Sequence, residues 1–181
     1  MIIAVVDYNE LFVETYVENR AKFRTLLKLV QNHWPEAVLE SHAIGAVEDC
    51  LTIDMIKAPP HKSGKRLIIL SSGLHGIEGY IGAAILQLFV REYLPSLNPQ
   101  DTALYLIHAI NPWGMQNRRR VNENNVDLNR NFNLDREFSG ESINSYYQQA
   151  NVFINPATSL KSTNSPILPS IALYDRNYGP G

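Results

Sequence analysis

Apolar and polar positions follow two different periods along the chain, and each period predicts one kind of element. Between residues 16 and 30, apolar side chains lie at helical spacing with basic residues between them, which predicts an amphipathic helix. A longer apolar run at 79–93 predicts a second helix that ends before Pro95. Short apolar runs predict four β-strands, at residues 37–44, 50–56, 66–70 and 103–110.

Two of these strands differ in their pattern. Residues 66–70 are almost continuously apolar, as in strands that are buried on both faces of a mainly parallel sheet. In the strand at 50–56, Leu51, Ile53 and Met55 alternate with polar residues, which is typical of a half-buried strand. Because strands alternate with helices, we expect an α/β fold with a mixed, largely parallel sheet and helices on both faces.

The length of 181 residues is enough for one domain with a real core, so we expect a single domain over 1–181. After residue 150 turn-forming residues dominate, and 151–181 is expected to be irregular. This change of character indicates that the chain is the N-terminal portion of a longer domain.

Composition narrows the function classes. Apolar residues make up 45% of the chain and the formal net charge is -2, so no overall basic field points to nucleic acid or to an acidic membrane. The apolar N-terminus lacks the basic start of a signal peptide, and the run at 81–90 is too short to cross a bilayer. The lone Cys50, interpreted as a half-buried strand residue, weakly favours a reducing compartment. We therefore expect a soluble cytoplasmic protein.

The first candidate for chemistry is the stretch SSGLHGIEG at 71–79, which lies between the strand at 66–70 and the helix at 79–93. His75 and Glu78 carry side chains that bind zinc, and their spacing on a turn lets both face one point. The surrounding glycines let the backbone bend tightly. Taken alone, the motif is better explained by Glu78 favouring the positive end of the helix, with His75 as an incidental loop residue.

A second stretch follows the strand at 103–110. It begins as Asn-Pro-Trp-Gly at 111–114 and leads to three consecutive arginines, 118–120, and to the polar run at 127–131. A solvated face or a phosphate-binding patch is the ordinary explanation for such arginines, and acidic neighbours make a nucleic-acid stripe improbable. Val126 and Phe132 bracket the polar run, so we expect a loop held by two apolar anchors. That loop would present Asn129 and Arg130 inward, where a guanidinium and an amide can hold a carboxylate.

Together, H-G-I-E, N-P-x-G and V-D-L-N-R-N-F, in this order and after successive strands, resemble the zinc carboxypeptidase family. Within that family, the residues of these motifs most resemble a bacterial branch of carboxypeptidase-like proteins, and the resemblance covers about residues 10–140. The shorter H-x-x-E and D-x-N-R patterns also resemble the related aspartoacylases and succinylglutamate desuccinylases.

The resemblance implies a zinc exopeptidase-like fold, a zinc ion, and hydrolysis of an amide bond next to a free carboxylate. It implies His75 and Glu78 as zinc ligands, and Asp127 as the carboxylate that orients the histidine. It implies Arg120 as the catalytic residue that polarises the scissile carbonyl. The resemblance gives Asn129 and Arg130 the task of binding the substrate carboxylate. Zinc-bound water attacks the amide in that family, and a late glutamate takes the proton.

Two parts of the family's site have no match in this chain. The last histidine is His108, and it is better explained as a core or orienting residue than as the third zinc ligand. Glu137 and Glu141 lie too close to the polar run to match the late glutamate. A fragment is the favoured explanation, ahead of a truncated inactive product or a second chain that completes the site.

Three functions therefore remain open. The leading one is a carboxypeptidase-type zinc peptidase, and its substrate would be a peptide or an N-acyl amino acid with a free carboxylate. The enzymatic alternative is an N-acyl amino acid deacylase of aspartoacylase type. The non-enzymatic alternative is a binding module that keeps the carboxylate site but has lost the metal.

Overall fold

The computed structural model describes residues 8–45, 50–62 and 66–130. They form three α-helices and four β-strands: α1 (Tyr16–Gln31), β1 (Val38–Ala43), β2 (Thr52–Ala58), β3 (Arg66–Ser71), α2 (Gly79–Leu88), β4 (Thr102–His108) and α3 (Pro112–Gln116). The chain divides into two compact units, residues 1–122 and residues 123–181. The expected irregular segment 151–181 lies outside the described residues.

Helix α1 confirms the helix predicted at 16–30. It begins with a capping box, in which the Thr15 side chain accepts a hydrogen bond from Glu18 N–H and the Glu18 carboxylate accepts one from Thr15 N–H. Its buried face consists of Tyr16, Asn19, Phe23, Leu26 and Val30. These residues recur at helical spacing, so the face that the sequence predicts is the face that packs.

The second predicted helix, 79–93, is present, but its hydrogen bonds are α-helical only in its first part. Helix α2 ends at Leu88, and the chain continues as a π-helical turn over Phe89–Tyr93 and a 3-10 turn over Leu94–Ser96. Pro95 lies in this last turn and has no backbone N–H to donate. The chain therefore leaves the helix where the sequence predicts.

The four strands form one mixed sheet in the order β1-β2-β4-β3. The β1-β2 and β2-β4 pairs are antiparallel and the β3-β4 pair is parallel. The expectation of a largely parallel sheet is therefore wrong for the described strands. The connection from β1 to β2 is short enough for an antiparallel pair, whereas β3 reaches β4 through α2, as a parallel pair requires.

The main core lies between one face of this sheet and helices α1 and α2. It joins Phe23 and Leu26 of α1 to Leu86 of α2, with Ile56 of β2 and Leu104 of β4 below them. We expected helices on both faces, but within the described residues α1 and α2 share this one. On the opposite face of β3, Leu67 and Ile69 are each 54% exposed.

Strand β2 corrects one sequence expectation. The residues that it buries are Asp54, Ile56 and Ala58, whereas Ile53 and Met55 are only partly buried. The strand is therefore half-buried, as expected, but its buried residues are not the alternating Ile53 and Met55. Cys50 is also not a half-buried strand residue, since it is exposed and precedes β2.

None of the helices within the described residues combines the length and apolar composition that crossing a bilayer requires.

Candidate active site

The two motif-bearing loops begin at the same edge of the sheet, because β3 and β4 are parallel neighbours. The loop after β3 runs alongside the loop after β4. Ser72 N–H donates to the Ile107 carbonyl at 3.0 Å, and Asn111 N–H donates to the Gly73 carbonyl at 2.7 Å. Gly73 has a φ of +68°, and a Cβ there would lie 2.7 Å from Cβ of Ala109. The tight first turn therefore requires glycine.

His75 and Glu78 converge after this turn. Glu78 lies in a 3-10 turn, Gly76–Glu78, that leads directly into α2. Nδ1 of His75 lies 3.2 Å from Oε2 of Glu78. The His75 side chain is 11% exposed, whereas Glu78 is 62% exposed and reaches solvent. The expected convergence of the two side chains after the third strand is thus found, and their role as zinc ligands stays a prediction.

Arg120 lies on the other side of the same carboxylate. Its Nη1 atom is 3.6 Å from Oε1 of Glu78, so the two oxygens of Glu78 face different partners. Arg118 points elsewhere, since its Nη2 donates to the Glu14 carbonyl at 3.2 Å. Arg120 therefore lies beside the pair of His75 and Glu78, and its catalytic role stays a prediction.

The residues that would hold the substrate carboxylate lie in the second unit. Leu128–Arg130 form a 3-10 turn, which Asp127 begins. The Asp127 carboxylate accepts a hydrogen bond from Asn129 N–H at 3.0 Å, and its backbone carbonyl accepts one from Arg130 N–H at 3.0 Å. Asp127 is buried, while Asn129 and Arg130 are exposed.

Three expectations about this loop therefore stay predictions. They are the hydrogen bond from His75 to Asp127, the position of Arg130 in the same cleft, and the inward orientation of Asn129 and Arg130. The apolar anchor expected at Phe132 lies outside the described residues.

His108 ends β4 and is fully buried, in agreement with its interpretation as a core residue. Its ring stacks on Phe23 with centroids 5.3 Å apart and lies 6.1 Å from the Tyr16 ring. Neither ring nitrogen has a hydrogen-bond partner among the described residues. Burial lowers the pKa of His108 to about 4, although the nearby charge of Asp54 acts in the opposite direction.

Sequence reasoning missed the partly buried ion pair between Arg24 and Asp54, in which Asp54 is the buried partner. Nε of Arg24 lies 2.6 Å from Oδ2 of Asp54, and Nη2 lies 3.1 Å from Oδ1. Burial alone would raise the pKa of Asp54, but hydrogen bonds from Arg24, Ser41 and Thr52 and the positive charge of Arg24 together lower it. The signal for this ion pair in the sequence was an acidic residue within a predicted strand and a basic residue on a predicted helix.

The described residues contain no group of three or more His, Cys, Asp or Glu side chains placed to hold a metal ion. His75 and Glu78 are the candidate zinc ligands that lie together within the described residues, and zinc binding stays a prediction.

The fold and the paired loops define an α/β protein with a candidate site at the carboxyl edge of its sheet. Residues 12–171 match the family described as "Protein of unknown function (DUF2817)". The chain belongs to this family. No curated protein gives a significant match to the chain.

Proposed function

We propose that the protein is a zinc-dependent hydrolase of carboxypeptidase type, with a zinc exopeptidase-like fold, that cleaves an amide bond next to a free carboxylate. The observation that carries this proposal is the cluster of His75, Glu78 and Arg120. The His75 imidazole nitrogen lies 3.2 Å, and the Arg120 guanidinium 3.6 Å, from oxygens of the Glu78 carboxylate. The cluster lies at the edge of the sheet where α/β proteins bind ligands.

The donor pair suits zinc by its chemistry and by its spacing. Ligands that bind a tetrahedral zinc ion at about 2.0–2.1 Å lie roughly 3.3 Å from each other. The 3.2 Å between Nδ1 of His75 and Oε2 of Glu78 is close to that separation. A direct ion pair between the two side chains gives a similar distance, so zinc binding has to be measured. When bound, zinc would act as a Lewis acid and lower the pKa of a coordinated water.

The protein's own residues have separate tasks in this proposal. Arg120 places a permanent positive charge beside the metal ligands, where it stabilises negative charge that develops on the carbonyl oxygen. Asn129 and Arg130 bind the terminal carboxylate of the substrate, for which the planar guanidinium offers two parallel N–H donors. Asp127 would orient His75 by accepting a hydrogen bond from it, which would select the tautomer that leaves the other nitrogen unprotonated for the metal.

The first experiment measures zinc in the purified full chain after dialysis against metal-free buffer. Stoichiometric zinc is expected in the wild type, and its loss in His75→Ala and Glu78→Ala. His42→Ala is the matched control, because His42 is exposed on β1 and is expected to leave the zinc content unchanged. Equal zinc contents in all four proteins would exclude His75 and Glu78 as the ligands.

The second experiment compares hydrolysis of acylated dipeptides that carry either a free or an amidated C-terminus. A carboxypeptidase-type enzyme cleaves the free acids preferentially. Faster cleavage of N-acyl amino acids than of peptides would favour the deacylase of aspartoacylase type. A protein that binds free carboxylates without zinc and without hydrolysis would instead be the binding module.

A further inference from the structure

The loop that carries Arg120 is hydrogen-bonded to the loop that carries Glu78 just before the arginine, and it contacts Gly114 on both sides of the arginine. Before Arg120, the carbonyl of Arg119 accepts a hydrogen bond from Ile77 N–H at 3.0 Å, and Arg119 N–H donates to the Gly114 carbonyl at 2.7 Å. After Arg120, the carbonyl of Val121 lies against Gly114, where a Cβ would be only 2.7 Å from it.

The hydrogen bond between the two loops lies next to a close contact between two glycines, Gly76 and Gly114. A Cβ on Gly76 would lie 2.5 Å from Cα of Gly114 and would also overlap the adjoining peptide group of Met115. These neighbours are backbone atoms, so they cannot turn away as the end of a flexible side chain can. Any residue larger than glycine at position 76 must therefore push the two loops apart.

Asn111 holds the Gly114 side of this contact. Its side-chain oxygen accepts a hydrogen bond from Gly114 N–H at 2.8 Å and so caps the N-terminus of α3. Its own backbone N–H is bonded to Gly73, at the start of the loop that contains His75. The segments that carry the N-P-x-G and H-G-I-E motifs are thus joined by backbone hydrogen bonds and by a direct backbone contact.

We propose that Gly76 and Gly114 are positioning residues, whose close backbone contact sets the distance between the Arg120 guanidinium and the Glu78 carboxylate. The catalytic consequence rests on the proposed function, because Arg120 needs a reacting carbonyl beside Glu78. A displacement of about 1 Å at such a site can lower the rate by about 10²-fold. The glycines therefore act on turnover through Arg120 and not through contact with the substrate.

The kinetic test is a double-mutant cycle between Gly76→Ala and Arg120→Ala in the full chain. Gly76→Ala should lower kcat by about 10- to 100-fold, with little change in KM. The double variant should be no slower than Arg120→Ala alone, since the displaced arginine is already gone. Effects that multiply would overturn the proposal, because they would mean that Gly76 acts independently of Arg120.

Gly82→Ala is the matched control. A Cβ on Gly82 would lie 2.8 Å from Cβ of Ser72, so the same substitution creates a tight contact on α2, away from the arginine loop. Its effect on kcat should be smaller and should multiply with that of Arg120→Ala. If Gly82→Ala were also non-additive with Arg120→Ala, the coupling would be a general effect of disturbing α2 and the proposal would fail.

A second pair of variants keeps the proposal testable if Gly76→Ala does not fold. Ile77→Pro removes the N–H that bonds to Arg119, at a helix start where proline is tolerated, whereas Ile77→Ala keeps it. Ile77→Pro should lower kcat and Ile77→Ala should not. Equal kcat values for these two variants would contradict the proposal.

Amide hydrogen exchange separates this proposal from the proposed function. Gly76→Ala should accelerate exchange of the Ile77 and Arg119 amides by about 10-fold or more, while the amides of α2 keep their protection. If the wild type hydrolysed no amide at all, the proposed function would fail, and the exchange result alone would decide whether the glycine contact holds the two loops together. Unchanged exchange at both amides in Gly76→Ala would overturn the positioning role.

Discussion

His108 should make the protein less stable in mild acid, and the structure gives the size of the effect. The imidazole is fully buried between α1 and the sheet, and its pKa is lowered from 6.5 to about 4. In the unfolded chain the ring is in water and binds a proton at its ordinary pKa. Between pH 6.5 and 4 the unfolded state therefore binds more protons than the folded state, and stability falls as the pH falls.

The shift sets the magnitude of this loss. A difference of one pKa unit corresponds to 1.36 kcal/mol, so the whole effect below pH 4 is about 3 kcal/mol. Between pH 7 and pH 5 the same relation gives a loss of about 2 kcal/mol. Many small domains have only 5–15 kcal/mol of stability, so a loss of this size is easily measured.

The assay is urea unfolding followed by far-ultraviolet circular dichroism at pH 7 and pH 5, for the wild type and for His108→Leu. Leucine has nearly the same volume, and it removes two buried nitrogens that have no hydrogen-bond partner among the described residues. The variant should lose about 2 kcal/mol less than the wild type over this interval. The same loss in both proteins, or an NMR titration midpoint of His108 near 6.5, would refute the reasoning.

Four further predictions concern other side chains and the zinc ion. Arg24→Met should lower the free energy of unfolding by about 3 kcal/mol, because it leaves Asp54 charged and buried. Urea unfolding measures this loss, and adding Asp54→Asn should restore part of the lost stability. A loss below about 1 kcal/mol would contradict this prediction. Arg120→Ala should lower kcat by about 10²–10³-fold with little change in KM, as expected for a group that stabilises developing charge. Arg130→Ala should instead weaken binding of free-carboxylate substrates by about 2–5 kcal/mol and spare amidated ones, so equal sensitivity to both would disprove its assignment. Chelation of zinc should abolish hydrolysis in the wild type, and added zinc should restore it there but not in His75→Ala; activity that survives chelation would argue against zinc.

Local sequence signals predicted the parts of the fold that depend on near neighbours. The residues that give α1 its apolar period lie within one short stretch, as do His75 and Glu78. The strand-turn-helix context of the latter pair was enough to predict that the two side chains converge.

Contacts between distant parts of the chain could not be predicted in this way. The two antiparallel pairs follow from pairing choices across the sheet, which the apolar pattern of single strands does not encode. The burial of Asp54 was not predicted, because aspartate is polar and only its pairing with Arg24, thirty residues earlier, makes its burial tolerable. The approach of Gly76 to Gly114 likewise joins two motifs that are far apart in sequence.

The exposed Cys50 gives the protein a built-in attachment point for a probe. It is the only cysteine in the sequence, so a maleimide dye or spin label would react at one position without any mutation. Its backbone carbonyl accepts a hydrogen bond from Arg20 of α1, and Arg20 also lies over the ring of Tyr16. A label there would report directly on whether the first helix stays docked on the sheet, for example while the pH is lowered through the range in which His108 destabilises the fold.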